Sequence, residues 1–222
     1  MVSERNAVSK GIDSPVTGYR LLLPSEWVQV PLLQGTIETV DRVLRDMFSL
    51  LPADAPRDRI EPYKAEISRR FRESVVEAQR RGGLDLYVPL KLRGDQEFNL
   101  GASILVAETT LPKRPREAPP ADPGELAVQL LSRDGEDIDV ASGEVDGSVA
   151  VRREYVAESE RQHVIQAASR RVEYVISVPG DGTRWFVAAF STIGGGSPRD
   201  ELADVLVEWF DAVMATFRWR HA

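Results

Sequence analysis

Two alternating apolar runs, Val172 to Val178 and Trp185 to Ile193, flank the turn sequence Pro179-Gly180-Asp181-Gly182-Thr183. Alternation puts every second side chain on one face of a strand, and proline and glycine between two such runs reverse the chain, so the pair predicts a β-hairpin. Gly194-Gly195-Gly196 then ends the second strand and leads into an amphipathic helix. Ser197 is placed to cap it, Pro198 to take its first position and Asp200 to complete a capping box, with Leu202, Val205, Leu206, Trp209, Val213 and Phe217 along one face. A hairpin covered by such a helix points to the α+β class: a twisted antiparallel β-sheet flanked by helices, an α/β/α sandwich.

The rest of the chain fits that plan. Residues 1–17 are polar and without period, and read as a flexible leader; 18–220 read as a single α+β domain. Tyr19 to Leu23 predicts a first strand, closed by Pro24 and followed by an anchoring Trp27. A helical hairpin is expected over 36–81. Its first helix is capped by Thr36 and carries Ile37, Val40, Leu44, Met47, Phe48 and Leu51; its second carries Ile60, Tyr63, Ile67, Phe71, Val75 and Ala78 and stops at Gly82-Gly83. Leu84 to Leu92 alternates as a half-buried strand in which Pro89 implies an edge or a bulge. Phe98 to Glu108 extends the sheet, with Phe98, Leu100, Ala102, Ile104 and Val106 on one face. Residues 111–123 form a Pro-rich loop with a basic cluster, and a short helix from Asp122 carries Leu126, Leu130 and Leu131. Two further strands lie between Ile138 and Tyr155, turned at Gly143 and at Asp146-Gly147, and Val164 to Ala168 offers a weak extension.

Composition narrows the function classes. The net charge of −7 repels phosphate backbones and anionic lipid alike, so nucleic acid is not an expected partner. The absence of cysteine removes disulfides, thiolate nucleophiles and thiolate metal sites. No window approaches the roughly 20 apolar residues of a spanning helix, so no membrane insertion is expected, and cytoplasmic residence is the default expectation. Positive charge is carried almost wholly by arginine, a bias of GC-rich coding that fits an actinobacterial origin and implies nothing about function.

Reactive groupings are sparse. Gly194-Gly195-Gly196-Ser197 before a helix lacks the Lys-Ser/Thr ending of a phosphate loop and the spacing of a dinucleotide fingerprint, so it reads as a strand-to-helix connector. The acids Asp134, Glu136, Asp137 and Asp139 fit no register of a calcium loop. His163 and His221 are the two histidines; neither has a second ligand at metal-binding spacing, and His221 sits in a tail expected to fray. No catalytic residue, cofactor site or metal site is therefore assigned. Arg69, Arg72 and Arg80 with Arg114 and Arg116 are the candidate partner-binding residues, although glutamates interleaved on the helix favour a solvated charged face. Tyr87, Phe98 and Trp185 are candidate pocket-lining residues, should a small molecule bind between sheet and helices.

The order of elements resembles the PsbP-like fold family: a first strand ending in Leu-Pro-Ser-Glu-Trp27, an antiparallel sheet, the late Val172-to-Pro179 and Trp185-to-Ser191 hairpin, and a final helix closing on Thr216-Phe217-Arg218-Trp219. That family includes an extrinsic photosystem II subunit, a nuclear-import factor that binds a small GTPase, and actinobacterial proteins of unassigned role. The resemblance implies a binding or assembly factor without a shared active site, and it transfers no residue-level site. The long helical hairpin at 36–81 departs from compact members. The expected function is a non-enzymatic protein-interaction or assembly-factor domain, accessory to a larger bacterial machinery such as secretion, that holds a protein partner through a sheet edge, a helix face or the segment around Pro112 to Pro123. The alternatives are a small-molecule-binding domain and, behind it, a hydrolase that would need His163 beside a nucleophile.

Overall fold

The computed structural model describes residues 14–49, 51, 56–90, 101–110, 138–158 and 168–222. Among these residues the chain is α+β. Its strands are β1 (Val16–Arg20), β2 (Trp27–Pro31), β3 (Gly83–Pro89), β4 (Ser103–Thr110), β5 (Asp139–Val145), β6 (Ser148–Ala157), β7 (Ser169–Ser177), β8 (Arg184–Thr192) and β9 (Arg218–His221). Its helices are α1 (Thr36–Ser49), α2 (Arg57–Arg80) and α3 (Glu201–Ala215). Seven strands form one antiparallel sheet in the order β2-β3-β4-β8-β7-β6-β5, and β1 pairs with β9 in a separate two-stranded sheet.

The predicted hairpin is β7–β8, in which Val172 faces Phe190, Val175 faces Val187 and Ile176 faces Phe186. Paired residues share a face, so Val172, Ile176, Phe186, Ala188 and Phe190 present one apolar surface. Helix α3 covers it with Leu206, Val207, Phe210 and Met214, and Ile104 and Val106 of β4 join the same core. On the opposite face Leu86 and Val30 meet Val40, Val43 and Leu44 of α1 and Val75 and Ala78 of α2. Helices thus lie on both faces of the sheet. The α1–α2 hairpin is tied across by Arg72 to Asp41 at 2.9 Å and to the sheet by Gln79 Nε2 donating to the Leu32 carbonyl at 2.7 Å.

Pro89 sits at the end of β3, opposite Trp27 and beyond the pairing with β4, where its missing N–H costs no ladder bond. An irregularity between Gly83 and Asp85 marks the start of that strand. Gly83 allows α2 to end directly against the sheet: a Cβ there would lie 2.5 Å from Leu32 Cδ1 and 2.7 Å from the Ala78 carbonyl oxygen.

Several expectations are corrected. Ser197 does not cap α3; Asp200 does, its carboxylate accepting from Ala203 N at 2.8 Å, Gly195 N at 2.8 Å and Ser197 N at 3.2 Å. An aspartate both caps the helix and gathers the glycine loop, which the shorter serine hydroxyl does not do. The hydrogen bond from Ala203, assisted by those from Ser197 and Gly195, holds the Asp200 carboxyl below the usual carboxylate range. The inner face of α3 is Ala203, Leu206, Val207, Phe210, Val213 and Met214, and Val205, assigned to that face, is 53% exposed. Ile37 and Tyr63, assigned to inner stripes, point largely to solvent. The first strand begins earlier than expected because Val16 to Arg20 pairs with the carboxy-terminal Arg218 to His221. His221 therefore belongs to a strand, with Nδ1 3.0 Å from the Ser14 carbonyl oxygen. Phe98, residues 111–123, the helix expected from Asp122 and most of Val164 to Ala168 lie outside the described residues.

Candidate partner-binding groove

The arginines singled out on α2 are engaged locally. Arg69 reaches Glu66 at 2.8 Å and Glu73 at 2.7 Å, Arg72 reaches Asp41, and Arg80 stands 4.0 Å from Glu77. Hydrogen bonds from Arg69 and Arg70 pull the Glu66 carboxyl down to about 2, as expected for a carboxylate held by two guanidinium groups. The face is a mixed-charge surface whose cations are matched by carboxylates three or four residues away or, for Arg72, by Asp41 of α1. Arg114 and Arg116 lie outside the described residues.

Of the proposed pocket-lining residues, Tyr87 and Trp185 do not meet. Tyr87 pairs with Ile104 and packs on the α3 side, whereas Trp185 belongs to a small cluster with Val151 and Val175 on the other side of the sheet. Tyr87 instead joins a polar triad: Tyr19 donates to Asp85 Oδ2 at 2.5 Å and stands 2.9 Å from Tyr87 Oη, while Gln29 Nε2 donates to Asp85 Oδ1 at 2.7 Å. Burial pushes the Tyr87 hydroxyl up to about 12 and raises that of Tyr19 further, so both are fixed, neutral donors that tie β1 to β3. Trp185 is 1% exposed, and its indole N–H has no hydrogen-bond partner among the described residues. Phe98 and His163 lie outside the described residues.

A half-buried row of charges fills the space between the sheet and one flank of α3. Arg152 Nε and Nη2 grip the two Asp211 oxygens at 2.9 Å each, Arg152 Nη2 also reaches Glu154 at 2.6 Å, Arg170 Nε reaches Glu154 at 2.6 Å, and Tyr174 donates to Asp211 at 2.9 Å. Burial works against the Glu154 charge, but hydrogen bonds from Arg152 and Arg170 outweigh it and hold the carboxyl below its usual range. Burial, helped by the bond to Asp211, raises the Tyr174 hydroxyl well above the usual phenol. Among the described residues, no three His, Asp or Glu side chains are grouped to hold a metal ion.

The other flank of α3 carries an apolar groove. Leu22, Leu23 and Pro24, from the link between β1 and β2, face Trp209, Ala212, Val213 and Thr216 across a cleft of about 340 Å³. Its wall is fastened by the Leu22 N–H, which donates to Thr216 Oγ1 at 3.0 Å, while that hydroxyl donates to the Val213 carbonyl at 2.6 Å. Trp27 stacks on Trp209 with centroids 4.8 Å apart, and Trp209 in turn packs against Phe190 at 6.1 Å. Leu22 stays 59% exposed.

The helix that borders the groove carries charge of one sign. Helix α3 contains Glu201, Asp204, Glu208 and Asp211 and no lysine or arginine. Asp211 and Asp204 face Arg152 and Arg170, but neither Glu201 nor Glu208 has an ion-pair partner among the described residues. Glu201, Val205, Glu208 and Ala212 recur at i, i+4, i+7 and i+11, a single exposed stripe beside the groove. Sequence reasoning missed this site because its walls come from segments nearly the whole chain apart.

No family model matches the chain, and no curated protein matches it. Among solved structures it is similar to the crystal structure of LpqN, a protein involved in cell envelope biogenesis of Mycobacterium tuberculosis, at 12% identity, with 95% of this chain and 87% of that chain covered and a TM-score of 0.45.

Proposed function

We propose that this chain is a non-catalytic interaction domain that holds a basic, amphipathic segment of a protein partner in the groove beside α3. One observation carries the reading: an open apolar cleft bordered by a helix face that has no base and whose Glu201 and Glu208 have no ion-pair partner among the described residues. A segment with apolar residues at helical spacing fills such a cleft, and lysine or arginine on its flanks meets Glu201 and Glu208. The resemblance in element order to the PsbP-like family, whose members act as binding or assembly factors, agrees with this reading. The ionisable groups beneath α3 are spent on one another in ion pairs and hydrogen bonds, as in a structural network.

The test is titration of the protein with an amphipathic Leu/Lys peptide of about four helical turns, followed by tryptophan fluorescence, because Trp209 lines the cleft and stacks on Trp27. Leu22→Asp and Ala212→Arg alter exposed positions and leave the core intact. Each is expected to weaken binding by ~10-fold or more, a change of about 1.4 kcal/mol. Equal affinity of both variants and the parent, or equal binding of the corresponding Leu/Glu peptide, refutes the groove.

A further inference from the structure

The seven-stranded sheet ends in two edges that the chain treats differently. Leu32 N donates to the Leu84 carbonyl and Leu90 N to the Glu26 carbonyl, so the even-numbered residues of β2 face β3, and Trp27, Gln29 and Pro31 turn their backbone groups outward. That edge is blunted: Trp27 N already donates to the Pro24 carbonyl at 3.0 Å and Pro31 has no N–H, which leaves Gln29 alone. The β5 edge has no such device. Its hairpin with β6 turns at Asp146-Gly147, both at positive φ (48° and 73°), the two-residue geometry that makes Val145 and Ser148 a hydrogen-bonded pair. Counting back from that pair, Asp139, Ala141, Gly143 and Val145 bond to β6, and Val140, Ser142 and Glu144 direct their N–H and C=O groups outward. No hydrogen bond meets those outward groups among the described residues, and the strand contains no proline, lysine or bulge.

We infer that the outer edge of β5 receives an extended, lysine- or arginine-bearing segment of a protein partner as an added strand. Three outward N–H and three outward C=O groups supply the ladder. The choice of a basic segment follows from charge: β5 carries Asp139 and Glu144 and no base, and neither acid has an ion-pair partner among the described residues. A second copy of this chain would bring the same acids, and a further net charge of −7, to the same interface. Ala141, Ser142 and Gly143 are small and exposed, so no side chain there obstructs an incoming backbone. This surface is separate from the α3 groove and stands without it.

The experiment uses the whole chain and an alternating Val/Thr peptide of about seven residues with two lysines, read by amide hydrogen exchange in NMR spectra. At saturation the amides of Val140, Ser142 and Glu144 are expected to exchange at least ~10-fold more slowly, and those of β2 to be unchanged. Ser142→Pro removes an outward N–H that β6 does not use, so it should keep the fold and lose the peptide, while Ser142→Thr keeps both. Methylating the peptide nitrogens on alternate residues gives an independent reading: one phase abolishes binding and the other does not. Leu22→Asp should leave this binding intact, which separates it from the groove. Unchanged exchange at millimolar peptide, retained binding in a folded Ser142→Pro, or equal binding of the Val/Thr peptide with two glutamates overturns the inference. So does a dimer of the protein alone that protects the same three amides.

Discussion

Replacing Asp211 by asparagine tests whether the charge row beneath α3 fastens the helix to the sheet. The carboxylate accepts a two-pronged grip from Arg152 at 2.9 Å on each oxygen and a third hydrogen bond from Tyr174. Asparagine preserves shape and one acceptor oxygen, but turns the other position into a donor aimed at a guanidinium. Breaking a fully buried pair costs roughly 3–5 kcal/mol, and breaking a surface pair about 0–1 kcal/mol. The Asp211 side chain is 34% exposed and that of Arg152 18%, between those limits. Arg152 also keeps Glu154, so its charge is not stranded. The expected loss is about 2 kcal/mol, which for a chain of this size lowers Tm by roughly 4–8 °C. Tyr174→Phe removes only the hydroxyl bond and should cost about 1 kcal/mol. Combining it with Asp211→Ala should give less than the sum, because both changes delete the same contact. Urea unfolding of the single and double variants, followed by circular dichroism, measures all of this. A loss below ~0.5 kcal/mol for Asp211→Asn, or strict additivity of the pair, would show that the row is a solvated decoration.

Gly83→Ala drives a Cβ against the Ala78 backbone oxygen, which cannot swing away as the end of a side chain can; a cost of about 1–3 kcal/mol is expected in urea, and an unchanged midpoint removes the close-approach argument. Acid should weaken the α3 attachment in a definite window. The Glu154 and Asp200 carboxyls lie below their usual values in the folded state, so the stability they contribute is complete above the unfolded-state values, near pH 4 to 4.5, and drains away as the pH falls through the folded ones. Unfolding midpoints measured from pH 6 to pH 3 should fall, with a shallower slope in Glu154→Gln; identical slopes would contradict the assignment.

Much of the sheet was legible because alternation is local. The β7–β8 hairpin, the face shared by Ala102, Ile104 and Val106, and the turn at Asp146-Gly147 each follow from a few adjacent residues. The arginine-rich face of α2 was legible for the same reason: Glu66, Glu73 and Glu77 lie within a turn of the cations they neutralise. What escaped depends on competition or on distance. Ser197 and Asp200 are both competent caps, and the winner was decided by a glycine loop that one carboxylate can hold together. The β1–β9 pair joins opposite ends of the chain, and its four-residue β9 is too short to carry a periodic signal. The groove needs Leu22 to Pro24 set against Trp209 to Thr216, a contact that no window along the sequence contains. Tyr87 and Trp185 looked alike as apolar aromatics in strands, and only the register shows that they lie on opposite sides of the sheet.

The pairing of β4 with β8 has a kinetic meaning. β5 to β8 follow one another as a meander and β3 neighbours β4, but Ser103–Thr110 meets Arg184–Thr192 only across some eighty intervening positions. Such a seam closes late, since long loops must be drawn together before its bonds repay the lost freedom. Until it closes, both strands present bare margins bearing Ile104, Val106, Phe186 and Phe190, the kind of surface on which unfinished chains stick to one another. Refolding yield should therefore depend on protein concentration more than on the stability of the finished sheet.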